Sequence, residues 1–92
     1  MDRVLREFLT DLADAHRSLS TAIGLRDFHD IARTAHRLRG AAATVGANHI
    51  EHRCTALEEA ADLHHMGAVA SHITHLASET RAVELALSDL YR

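Results

Sequence analysis

The chain has 92 residues, 47% of them hydrophobic and 25% charged, with a net charge of −3 when histidine is neutral. This is the length and composition of one small globular domain rather than of a disordered segment, and it lacks the basic excess expected of a nucleic-acid binder. One cysteine excludes an internal disulfide and an all-thiolate zinc site, and no apolar run is long enough to span a membrane.

Proline is absent, glycine occurs four times and aromatic residues make up 3%, so the backbone can be helical almost throughout. Residues 1–92 are accordingly read as a single domain. MDRVLREF at the start interleaves charged and apolar residues and does not read as a signal peptide, and the single cysteine fits a reducing compartment, so the expected location is the cytoplasm. In the first segment Val4, Leu5, Phe8, Leu9, Leu12, Ala15, Leu19, Ala22 and Ile23 recur at steps of three and four and mark one helical face. Asp2 is the expected N-cap, and Gly24 the expected stop, with a turn at Gly24-Leu25-Arg26. Asp27 then caps a second helix whose apolar face is Phe28, Ile31, Ala35, Leu38, Ala42 and Val45, and Gly46 ends it.

Asn48 is the expected cap of a third helix, with Glu51 three residues on, close to a capping box. Its apolar face is Ile50, Cys54, Leu57 and Ala61, and it fades near Leu63 to His65, before Gly67. From about Ala68 to Tyr91, Val69, Ile73, Leu76, Thr80, Val83, Leu87 and Leu90 form a heptad stripe. Four amphipathic helices joined by short turns predict an all-α, antiparallel up-down four-helix bundle. If an intramolecular core uses the whole stripe, a monomer is expected.

Nine histidines are the compositional anomaly. His49 and His52, like His72 and His75, have a helical spacing that could chelate a metal, but neither pair is joined by a cysteine or carboxylate in a recognisable site, so no metal is expected. His64-His65 sits at a helix end, where positive charge suits the dipole, and Cys54 reads as a small buried hydrophobe. There is no phosphate-binding glycine loop, HExxH or nucleophile elbow, and no Glu has a His three residues later as di-iron bundles require. At about 100° per residue, His36 lies roughly 120° from the centre of its helix's buried face and should be exposed. His29, Arg33, Gly40 and Ala43 fall on the same side, with Arg39 towards the core boundary. Gly40 costs about 0.5–1 kcal/mol relative to Ala in a helix interior, so helix packing or a partner's close approach should require the missing side chain.

The stretch from Ala35 to Ala61, AHRLRGAAATVGANHIEHRCTALEEAA, resembles the histidine-phosphotransfer (HPt) domains of bacterial multistep phosphorelays. Ala35, His36, Leu38, Gly40, Gly46, Ala47, Cys54, Leu57 and Glu58 match that family's pattern. The chain departs at Arg39, where Lys is usual, at Ile50, where Leu is common, and at Ala41, where Ser is frequent. The resemblance implies that His36 accepts a phosphoryl group on Nε2, reacting as the neutral imidazole. It implies that Arg39, with Arg33 or Arg37 in support, offsets the charge, and that Gly40 clears space for the partner. His29, Arg33, Arg37 and Ala43 are then expected to contact that partner.

The implied partners are response-regulator receiver domains, which supply the acceptor Asp and Mg²⁺, and upstream a hybrid sensor histidine kinase. The chain needs no cofactor of its own on this reading. Having no ATP-binding motif, it is a phosphocarrier rather than a self-sufficient enzyme. Two other classes fit the same composition: a helical interaction module that docks a receiver or kinase without carrying phosphate, and a His-rich metal buffer.

Overall fold

A computed structural model describes residues 2–90 of the chain. Four helices follow one another: α1 (Arg3–Gly24), α2 (Phe28–Val45), α3 (Asn48–Asp62) and α4 (Met66–Leu90). They pack as the antiparallel bundle that the apolar periodicity predicts, about 40 Å long and 19 Å across. One core runs through all four, with Leu12, Leu19, Ile31, Ile50, Leu57, Val69 and Leu76 fully buried. Each such side chain contributes about 1.5–3 kcal/mol by leaving water. Ala35 and Ala42 of α2 and Cys54 and Ala61 of α3 are also sealed. Their small size lets α2 and α3 approach closely, and this is the most extensively packed helix pair.

The three turns share one closure. Backbone N–H groups of Asp27, Ala47 and His65 reach back five residues to the carbonyls of Ala22, Ala42 and Ala60 at 2.9, 2.9 and 3.0 Å. This is the Schellman arrangement, and it needs a residue in the left-handed region just before the donor. Gly46 fills that place between α2 and α3 with φ +74°, as expected of a helix-ending glycine. In the other two turns the place belongs to Arg26 and His64, both at φ +54°. Gly24 is therefore still helical, and the stop lies two residues later than its glycine suggests. His64 stacks on Phe28, ring centroids 4.6 Å apart and 6° from parallel, which ties the α1–α2 turn to the α3–α4 turn.

The caps differ in part from the sequence expectation. Asp2 accepts from the Val4 N–H and Asp27 from the Asp30 N–H, as predicted. Asn48 does not cap α3; it is the first helical residue, the cap position is Ala47, and no side chain bonds the helix end there. The Schellman closure draws the chain into helix one residue early, which removes the Asn48–Glu51 capping box. At α4 the surprise runs the other way. His65 Nδ1 accepts from the Ala68 N–H at 3.0 Å, so this imidazole closes a helix N-terminus as an acceptor rather than favouring a C-terminus as a cation. Helix α4 starts at Met66, with Gly67 inside it. Tyr91, at the expected end of the fourth segment, lies outside the described residues.

Only part of the heptad stripe is consumed internally. Val69, Leu76 and Thr80 are buried, Ile73, Val83 and Leu87 are half-buried, and Leu90 is 71% exposed. Helix α4 has 25 residues and α3 has 15, so the last turns of α4 run past the start of α3. The α1–α4 pair is the least packed of the four contacting helix pairs. The stripe thus gives no support to a monomer by itself. At the other end, Val4 is 47% exposed although it continues the apolar face of α1.

Candidate functional site

His36 lies midway along α2, and its side chain is 62% exposed. The residues that bury α2 (Ile31, Thr34, Ala35, Leu38 and Ala42) are on the opposite side, and this places the imidazole in solvent. His29 and Ala43 stand seven residues before and after it, within about 20° of the same line, and Gly40 follows within about 40°. All three are exposed. A Cβ built on Gly40 would meet nothing within 4 Å, so no neighbouring helix requires the glycine. The open surface beside His36 belongs to the outside of the bundle.

The arginines separate into two groups. Arg33 and Arg37 lie on the α1 side of His36. Arg33 is ion-paired with Asp30 one turn back, and Arg37 lines a groove of about 370 Å³ between α1 and α2 with Asp11, Asp14 and Ala41. Neither is hydrogen-bonded to the His36 ring, whose polar partners are Glu58 and Arg39. Arg39 lies on the α3 side, and its Nη2 is 3.1 Å from His36 Nδ1. Of the three predicted cationic residues, the fold brings Arg39 alone to the imidazole.

A carboxylate that the sequence reading left unassigned completes the cluster. Glu58 of α3 places Oε2 3.1 Å from His36 Nδ1, and its Oε1 is 3.9 Å from Arg39 Nη1. Its side chain is 24% exposed, the most shielded of the three. The sequence does contain the signal. His36 and Glu58 stand eleven residues to either side of Ala47, the centre of the α2–α3 turn. Two antiparallel helices of equal rise bring such residues level. A carboxylate accepts only, so a hydrogen bond to Glu58 requires the proton on Nδ1 and leaves the Nε2 lone pair pointing outward. Among the described residues Nε2 has no hydrogen-bond partner.

Beneath the cluster Cys54 is fully buried, and burial, followed by the nearby Glu79 carboxylate, pushes its thiol up to about 12. It is a packing residue and not a nucleophile. The His72–His75 pair is engaged separately, whereas His49 and His52 are exposed. His72 Nδ1 accepts from Arg53, which also pairs with Glu79 at 2.7 Å, and His75 Nδ1 donates to the Ser71 carbonyl. Among the described residues no three His, Cys, Asp or Glu side chains are grouped to hold a metal ion. No helix among them is long and apolar enough to cross a membrane.

The fold and this cluster define a class: a helical domain that displays one imidazole on an open face, with a guanidinium and a carboxylate at the ring's inner nitrogen. The Hpt domain family model matches residues 3–90, and the chain belongs to that family. Its general role is histidine phosphotransfer within phosphorelays, where Hpt domains interact with response-regulator receiver domains. No curated protein and no solved structure gives a significant match to the chain.

Proposed function

We propose that this chain is a phosphocarrier that takes a phosphoryl group from a receiver-domain aspartate onto His36 Nε2 and passes it to the aspartate of a second receiver. The observation that carries the reading is the exposed Nε2 of His36, with Nδ1 facing Glu58 at 3.1 Å. A proton held on Nδ1 leaves Nε2 nucleophilic, and the positive charge that reaction places on the ring is offset by the carboxylate. Arg39 is the cation placed to neutralise the phosphoryl oxygens. Gly40 leaves the approach clear. His29, Ala43, Arg33 and Arg37 surround the acceptor on α2 and form the surface on which the receiver rests.

Phosphoryl transfer depends on positioning and charge neutralisation, and the receiver brings the aspartate and Mg²⁺. This chain then needs neither a cofactor nor an ATP site, and a hybrid sensor histidine kinase is the fitting upstream donor. His36, Arg39 and Glu58 come from one chain, so a monomer is a complete carrier, working in the cytoplasm.

The test is incubation with a phosphorylated receiver domain. Label should appear on this chain, be acid-labile and base-stable, and disappear in His36→Gln while helicity and melting stay near wild type. Label that persists in that variant on another histidine would overturn the assignment. Tight receiver binding with no labelled chain would identify a docking module instead.

A further inference from the structure

Nδ1 of His36 has two neighbours at the same distance, and they make opposite demands. Glu58 Oε2, at 3.1 Å, only accepts, so it needs a proton on Nδ1. Arg39 Nη2, also at 3.1 Å, only donates, so it needs the Nδ1 lone pair. One nitrogen cannot satisfy both. Each tautomer of the neutral ring therefore has its own partner. With Glu58 engaged, Nε2 offers its lone pair to solvent. With Arg39 engaged, Nε2 carries the proton and the ring's lone pair is occupied on the inner side.

Resting on the reading of His36 as the phosphoacceptor, we infer that Arg39 is a reversible restraint on that nucleophile. It holds part of the resting population in the unreactive Nε2–H tautomer, and the incoming phosphoryl group lifts the restraint by drawing the guanidinium to itself. Three observations support this. The Arg39 side chain is 37% exposed and sits at the edge of the open face, so it can swing outward. Its Nη1 is already 3.9 Å from Glu58 Oε1, so leaving Nδ1 does not leave the guanidinium without an anionic neighbour. Phosphoryl oxygens are also much better partners for a guanidinium than an imidazole nitrogen, since they accept two parallel charge-assisted bonds.

The balance of the transfer favours the same order of events. From the Glu58-bound tautomer, the Nε2 lone pair forms the N–P bond while the bond from phosphorus to the aspartyl oxygen breaks. The electron pair of that bond leaves with the receiver's carboxylate. Nδ1 keeps its proton throughout, and the positive charge on the ring lies against Glu58. From the Arg39-bound tautomer the Nε2 proton would have to be removed first, and among the described residues no group is hydrogen-bonded to Nε2 to take it. Arg39 thus acts in two opposing senses: it restrains the ring before the donor arrives and neutralises charge once it has.

The test reads the tautomer directly. Nitrogen-15 shifts of the His36 ring would be recorded at about pH 8.5, where an ordinary imidazole is neutral, on the wild type, Arg39→Ala and Arg39→Met, the last retaining an apolar stem. The wild type should show both nitrogens at intermediate, exchange-averaged positions. In both variants Nδ1 should move to the protonated limit and Nε2 to the unprotonated limit, with unchanged helicity. A wild type already at the Nδ1–H limit, or variants whose shifts do not move, would overturn the restraint. Labelling of the same wild-type sample by a phosphorylated receiver separates the two readings. Unmoved shifts with normal labelling of His36 remove the restraint alone, whereas absence of label on His36 removes the phosphoacceptor reading whatever the shifts do.

Discussion

His16 and Thr80 meet across the α1–α4 seam, Nε2 to Oγ1 at 2.9 Å, and this polar contact sits where the bundle is least packed. Thr80 occupies a stripe position that is otherwise apolar and is 4% exposed. A polar residue in such a stripe sets register at some cost in stability. The pair fixes how α4 lies along α1 where few apolar side chains do so.

The same pair makes stability pH-dependent. Burial holds His16 below the ordinary histidine pKa of 6.5, with Glu84 opposing in part. His72 is also lowered, by burial first and then by Arg53 and His75, with Glu79 opposing. A group with a lowered folded pKa binds fewer protons folded than unfolded, so its contribution is complete above pH 6.5 and is lost as pH falls below it. Thermal melts between pH 8 and pH 5 should therefore show Tm falling on the acid side. The double variant His16→Gln, His72→Gln should flatten that slope; an equal slope would place the acid sensitivity elsewhere.

At Gly40 folding and function should separate. The space around it is open, so Gly40→Ala should raise stability by about 0.5–1 kcal/mol and transfer almost normally. Gly40→Gln should fold and yet lose transfer, because its side chain stands where the donor must approach to about 3–3.5 Å of the acceptor. Melts and transfer rates on the two proteins decide it, and a Gln variant with wild-type rate removes the clearance role.

Reversing the charge at Arg39 should be far worse than changing its shape. Arg39→Glu places an anion beside Glu58 and the phosphoryl group, and transfer from a phosphorylated receiver should become too slow to measure. Arg39→Lys keeps the charge and should retain a substantial rate, reduced by loss of the two-pronged contact. Equal rates in the two variants would show that Arg39 plays no part in transfer.

His65 provides a prediction with no link to phosphate. His65→Ala removes the acceptor at the start of α4 and should cost about 1 kcal/mol, while His65→Asp, a better N-cap, should recover it. Urea midpoints would check this, and an Ala variant as stable as wild type would mean the bond adds nothing.

The helices were legible because their apolar residues recur at helical spacing and bury as spaced: Leu12 and Leu19, Ile31 and Leu38, Cys54 and Leu57 all point inward. The exposure of His36 followed from the same geometry. The turns were less legible. Arg26 and His64 adopt a conformation normally left to glycine, because a backbone closure and, for His64, a stacked ring outweigh a penalty of about 1–2 kcal/mol that composition alone cannot anticipate. Glu58 was present in the family motif but unassigned, since periodicity along α3 places it only at the margin of a buried face. Its role depends on which residue of α2 it faces, which is a property of the helix pair. The Leu87–Leu90 end of α4 failed for a similar reason: a periodic stripe says which face is apolar, not how far a neighbouring helix extends beside it.

The burial of Cys54 has a practical consequence. The chain's one thiol lies in the seam that carries His36 and Glu58 and is fully shielded from solvent. An alkylating reagent can reach it only during excursions in which that seam opens, so the modification rate reads the opening free energy of this helix pair. A receiver that grips α2 and α3 together should slow the modification, which makes docking measurable by mass spectrometry without any radioactive phosphate.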